Sequence, residues 1–159
     1  MAVFHYVHLR AFAHETEDPA KVQGALRQAA QDEVPIRETY VDGSHGNRII
    51  ILDAEVKSAP GAKRLFGALM KDDPRGFEEV AGTLRERLDE NLNLHLRLDK
   101  QEAALGRVAL ARGDDAITVR AKIRSFESKR SGFPLESSLQ QLEAFILAVR
   151  NPRGASGGQ

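Results

Sequence analysis

Residues 92–99 read Leu92-Asn93-Leu94-His95-Leu96-Arg97-Leu98-Asp99, with leucine at every second position and polar or charged side chains between. Side chains of an extended chain point alternately to opposite faces, so this spacing predicts a strand with its leucines in a core and its polar residues toward water. Such half-exposed strands belong to antiparallel sheets, because the strands of an all-parallel sheet are covered on both faces and read as unbroken apolar runs. The fold therefore follows from finding what lies on either side of this strand.

Downstream, a short turn or helical piece at 100–105 leads to two further strands, 106–112 and 116–126, expected to form a hairpin across Gly113-Asp114-Asp115. In the second of these, Ile117, Val119, Ala121 and Ile123 oppose Thr118, Arg120, Lys122 and Arg124. A last helix, 134–150, carries Leu135, Leu139, Leu142, Ile146 and Val149 on one seam. Residues 151–159, with one Pro, one Ser and three Gly, are expected to be a disordered tail after a single domain spanning 1–150.

Upstream, residues 2–14 alternate Val3, His5, Val7, Leu9, Ala11 and Ala13 with Phe4, Tyr6, His8, Arg10, Phe12 and His14, which predicts a long strand with one aliphatic and one aromatic, basic face. Asp18-Pro19 then starts a helix over 19–30. Residues 34–41 and 48–57 read as two strands joined by Asp42-Gly43-Ser44-His45-Gly46-Asn47, and two amphipathic helices are expected from 62 to about 72 and from 74 to 88. The whole predicts an α+β fold: a mainly antiparallel sheet of about six strands with helices packed on one face.

At 159 residues, with 42% hydrophobic and 29% charged residues, the chain can hold one core without staples. It has no cysteine, which excludes disulfide frameworks, thiolate metal sites and cysteine nucleophiles. No stretch approaches the roughly 18 apolar residues of a membrane helix, and the start lacks a secretory leader pattern, so a soluble, cytoplasmic protein is expected. The net charge is zero, yet residues 106–130 hold seven basic against three acidic residues. No P-loop, dinucleotide fingerprint, nucleophile elbow or His-Glu-x-x-His helix occurs. His5 and His8 point to opposite strand faces and the other histidines stand alone, so neither a metal, a cofactor nor catalysis is expected.

If the aliphatic side of each strand meets the helices, the other sheet face collects His8, Arg10, Asn93, His95, Arg97, Arg120, Lys122 and Arg124 beside Phe4, Tyr6 and Phe12. Cations neutralise phosphates, and aromatic rings stack on unpaired bases, so this set suits a polyanion. Alternating charge is also how any antiparallel strand meets water, and for the aromatic residues of the first strand burial under a helix or in a homodimer interface comes ahead of stacking.

Two strings carry more than a pattern: Gly43-Ser44-His45-Gly46-Asn47-Arg48-Ile49, and Leu96-Arg97-Leu98-Asp99-Lys100-Gln101-Glu102-Ala103. With the long first strand and the 117–123 strand, they resemble the archaeal family described as predicted exosome subunits or RNA-binding proteins with a double-stranded-RNA-binding-domain-like fold. The resemblance spans residues 3 to about 149. It implies a fold similar to a large-subunit ribosomal protein, RNA as ligand, exosome or ribosome components as partners, and no catalysis. His45, Gly46 and Asn47 match its first motif, and Arg97, Asp99, Lys100 and Gln101 its second; Ser44 and Arg48 depart from it. The RNA-binding set expected is thus His45, Gly46, Asn47, Arg48, Arg97, Lys100, Gln101, Arg120, Lys122 and Arg124. Gly46 would shape a loop with free N–H groups, while Arg97 and Lys100 would grip phosphate as Asp99 caps the turn. A left-handed turn at Gly46-Asn47, and a surface ion cluster that ties the strand end down, account for the same residues structurally. The competing function is a homodimeric assembly or scaffold subunit joined through Phe4, Tyr6 and Phe12.

Overall fold

A computed structural model describes residues 3–124 and 134–152. Its elements run β1 (Phe4–Ala13), α1 (Pro19–Ala30), β2 (Ile36–Asp42), β3 (Arg48–Val56), α2 (Ala59–Asp72), α3 (Pro74–Gly82), α4 (Leu84–Arg87), β4 (Asn93–Asp99), α5 (Lys100–Ala104), β5 (Ala116–Ile123) and α6 (Pro134–Arg150). The five strands form one sheet in the order β2-β3-β1-β5-β4, with every neighbouring pair antiparallel. The leucine strand β4 is one edge, and β1 is the centre.

Helix boundaries follow local chemistry. Asp18 accepts from Ala20 N at 3.0 Å, with Pro19 at the first helical position, and α1 stops where Gln31 turns left-handed (φ 57°). Ser58 caps α2 through Gly61 N, and Asp73 caps α3 through Gly76 N. The single helix expected over 74–88 is broken at Thr83, so α3 and α4 are separate pieces.

The core lies between the sheet and the helices. Val7, Leu9 and Ala11 of β1, Leu52 of β3, Leu94 and Leu96 of β4 and Ile117 of β5 are sealed against Leu26 of α1, Leu65, Phe66 and Leu69 of α2, Phe77 of α3 and Leu142 of α6. Phe4 stacks on Phe66 at 5.7 Å between ring centroids, and Phe145 of α6 meets both edge-on at 5.0 and 5.2 Å.

The sheet has five strands, not about six, and the difference lies at residues 106–112. The hairpin partner expected for β5 does not form; the segment runs along the free edge of β4 instead. Asp99 N donates to Ala109 O and Ala111 N to Arg97 O, with one isolated bridge between Leu98 and Leu110. The reason is a competing set of acceptors. Val108 N donates to Asp72 Oδ2 at 2.9 Å and Leu110 N to Asp73 Oδ2 at 3.0 Å, so the helix junction takes the donors a longer ladder would need. The expected continuation of β5 to Phe126, and the tail beyond Pro152, lie outside the described residues.

Candidate nucleic-acid interface

Strand register builds the sheet face opposite the core. Tyr6 stands beside Lys122, which stands beside Asn93; His8 beside Arg120, then His95; Arg10 beside Thr118, then Arg97. On the other side of β1, Arg10 faces Asp53, then Arg37 of β2, and Phe12 faces Ile51, then Thr39. In β1, β3, β4 and β5 the alternate, core-directed neighbours are buried or nearly so, whereas these side chains are exposed or half-buried; the edge strand β2 is exposed on both faces beyond Ile36. The polar face expected from alternation therefore exists, with one correction. Phe4 is not on it. The β1 to β5 register shifts by one residue between Phe4 and Tyr6, so Phe4 pairs with Ile123 and turns into the core. The homodimer contact expected through Phe4, Tyr6 and Phe12 thus loses Phe4, and β1, hydrogen-bonded on both sides, offers no strand edge.

The cations of this face are held in different ways. His8 Nε2 lies 2.8 Å from Asp53 Oδ1, and Arg10 donates to the same carboxylate through Nε at 2.7 Å. His95 Nε2 lies 2.6 Å from Asp89 Oδ2. Arg97 donates to the carbonyls of Gly113 and Asp114, both at 3.0 Å, tying the end of β4 to the turn before β5. The Lys122 ammonium donates to Asn91 O. Arg120, at the centre, has no carboxylate or carbonyl partner among the described residues, and Arg124 at the end of β5 is likewise exposed without a side-chain partner there.

The two motif strings part company. His45, Gly46, Asn47 and Arg48 form the tip of the β2–β3 hairpin, all exposed. Gly46 is left-handed (φ 77°) and Asn47 is not. The amides of Gly43 and Gly46 are spent inside the loop, on Asn47 O and Gly43 O, so they are not the free donors expected. Asp99 caps α5 through Glu102 N, as the sequence suggests. Lys100, in contrast, is 2% exposed, its ammonium bonded to Phe12 O, Glu17 and Asp115; it is internal and unavailable to phosphate. Gln101 is exposed on α5, beside α1 on the helix side of the sheet.

The acids of the open face, Asp53, Glu55 and Asp89, were missing from the sequence-derived set. Period-two reading of β3, in which Ile51, Asp53 and Glu55 alternate with Leu52, Ala54 and Val56, contains the first two. Among the described residues no group of three or more His, Asp or Glu is arranged to hold a metal ion.

Asp89 has a displaced titration. Partial burial pushes its carboxyl up, but hydrogen bonds from the His95 ring, the backbone and side-chain N–H groups of Asn93 and the Asn91 amide outweigh that and hold it below the ordinary carboxylate range. A lowered folded-state value stabilises the fold above the unfolded carboxylate range, and that contribution fades as pH falls through the folded value. We expect the Asp89 carboxyl carbon, followed by NMR, to titrate below model carboxylates, and His95→Ala to move its midpoint upward; an unmoved midpoint would break the assigned coupling.

A one-sided α+β layer with a partly basic, open antiparallel face defines the class of protein. A family model described as RNA binding matches residues 6–123, and the chain belongs to this RNA-binding family. It is 35% identical over 155 residues to the RNA-binding protein PAB1135 of Pyrococcus abyssi, covering 92% of this chain and 91% of the relative. Protein AF2318 from Archaeglobus fulgidus is similar in structure, with a TM-score of 0.71 at 32% identity over 87% of this chain and 99% of that one. The DUF54 protein Mth689 from Methanothermobacter thermautotrophicus aligns with a TM-score of 0.72 at 27% identity, covering 91% and 98%. Among the described residues no helix is long and apolar enough to cross a membrane.

Proposed function

We propose that this protein is a non-catalytic RNA-binding protein of an archaeal cytoplasm that reads phosphate and shape rather than sequence. The observation that carries the reading is Arg120: a guanidinium at the centre of an open sheet face, flanked in register by His8 and His95, with no acid partner among the described residues. A cation left without an internal partner at such a point is available to an external anion, and membership of an RNA-binding family supports reading that anion as RNA phosphate. Lys122, Arg124 and Arg97 extend the basic strip, and the hairpin tip of His45, Gly46, Asn47 and Arg48 adds a second, separate contact. Lys100 and Gln101 stay outside the interface, one internal and one on the helix side. An accessory role in archaeal RNA processing or the exosome follows from the resemblance of the two motif strings.

The test is binding of structured and unstructured RNA followed by fluorescence anisotropy across a salt series. Phosphate contacts release counterions, so affinity is expected to fall linearly with salt on logarithmic axes, by about 0.7 to 0.9 in slope per contact. Failure to bind RNA at low salt would overturn the reading.

A further inference from the structure

We infer that the ligand is a single-stranded RNA segment, laid along β1 with bases over that strand and phosphates over β5 and β4; this rests on the RNA-binding reading above. Four side chains of β1 share the open face at every second position: Tyr6, His8, Arg10 and Phe12. All four end in planar groups, a phenol, an imidazole, a guanidinium and a phenyl ring. They recur at about 6.7 Å, twice the rise per strand residue. That step is comparable to the advance of an extended nucleic-acid strand per nucleotide. Phe12, near the end of the central strand and paired there with β3, is 37% exposed with no ring contact among the described residues, where a polar residue would cost nothing.

The planar groups are also oriented. Asp53 takes the Nε and a terminal nitrogen of Arg10, at 2.7 and 3.5 Å, and the Nε2 of His8 at 2.8 Å. One carboxylate thus occupies the in-plane donors of two neighbouring groups and leaves their faces for stacking, which is how guanidinium and imidazole planes meet unpaired bases.

Charge across β1 is asymmetric. On the β3 and β2 side stand Asp53 and Glu55 with one cation, Arg37; on the β5 and β4 side stand Lys122, Arg120 and Arg97, with His95 paired to the one acid there, Asp89. A single backbone is drawn to one flank and kept from the other. In a duplex the bases are already stacked on one another, so the row of planar groups would have nothing to receive.

The experiment uses the full chain and one RNA oligonucleotide carrying a fluorescent purine analogue whose emission drops on stacking, presented alone or annealed to its complement. The single strand is expected to bind at least about tenfold more tightly than the duplex, with quenching of the analogue, since each base stack is worth roughly fivefold or more and the strand offers several. Phe12→Leu, which keeps apolar bulk, and Arg10→Lys, which keeps charge, should each weaken the single strand by about tenfold and reduce quenching. A purely electrostatic role would leave Arg10→Lys unchanged. Equal affinity for the two forms, or quenching unchanged in both variants, overturns the single-strand path while RNA binding stands. If wild-type protein binds neither form, both readings fall. Thermal melts report whether the variants fold, and the wild-type comparison decides the strand class without them.

Discussion

Replacing Arg120, Lys122 and Arg124 together by glutamate is expected to lower RNA affinity by at least about 100-fold and to flatten the salt slope by about 2, since three phosphate contacts at about 0.7 each are removed. The three side chains alternate with the buried Val119, Ala121 and Ile123, so the substitutions touch no core contact and should leave the melting temperature nearly unchanged. Within the set the effects should be graded. Arg120 has no internal partner among the described residues, whereas Lys122 loses a hydrogen bond to Asn91 O whenever it turns to a ligand, so Arg120→Glu alone should account for the largest share. Glutamate at Lys63 and Lys71, exposed on α2, makes the control, because it alters net charge on the helix side only. Loss of affinity in the control as large as in the β5 variant would place binding elsewhere or show it to be unlocalised.

The second large effect concerns stability. Lys100→Met is expected to lower the free energy of unfolding by about 3 kcal/mol, read as a drop in the urea midpoint at unchanged slope. Its ammonium is buried at the end of the sheet, donating to Phe12 O at 2.9 Å and Glu17 Oε1 at 3.0 Å and lying 2.8 Å from Asp115 Oδ1. It joins the end of β1, the turn before α1 and the start of β5 at one point. Methionine fills the volume of the stem but leaves the Phe12 carbonyl without this donor. Glu17 and Asp115 are partly exposed and rehydrate, which keeps the cost near the lower end for a broken buried pair. RNA affinity measured well below the unfolding transition should stay within about twofold, because a cation that is already internal neutralises no phosphate. An unchanged urea midpoint with weakened RNA binding would instead restore the phosphate role that its place in the sequence motif suggests.

What the sequence disclosed depended on how local each determinant is. The leucine alternation of β4, the Asp18-Pro19 start of α1 and the basic alternation of β5 depend on neighbours within a few residues, and all three stand as read. The fate of 106–112 depended on Asp72 and Asp73, more than thirty residues away, whose carboxylates take two of its amides. Periodicity cannot register such a competitor. Lys100 looked like a solvated cation beside Arg97, because nothing near it in sequence reveals that Glu17 and Asp115 close over it. The basic face was legible residue by residue, but its acids were passed over although β3 alternates as plainly as β4. Phe4 departs from alternation for a different reason: between it and Tyr6 the strand contains one residue more than its partner, and a period of two does not carry across such a point.

That surplus residue, His5, splits β1 into two frames. Ahead of it, Phe4 answers to the helices, fixed among Phe66 and Phe145; behind it, the even-numbered positions answer to whatever lies outside the sheet. The anchoring end and the contacting end can therefore drift independently across relatives. An alignment that closes the gap at His5 would move every aromatic on one side of it into the wrong compartment.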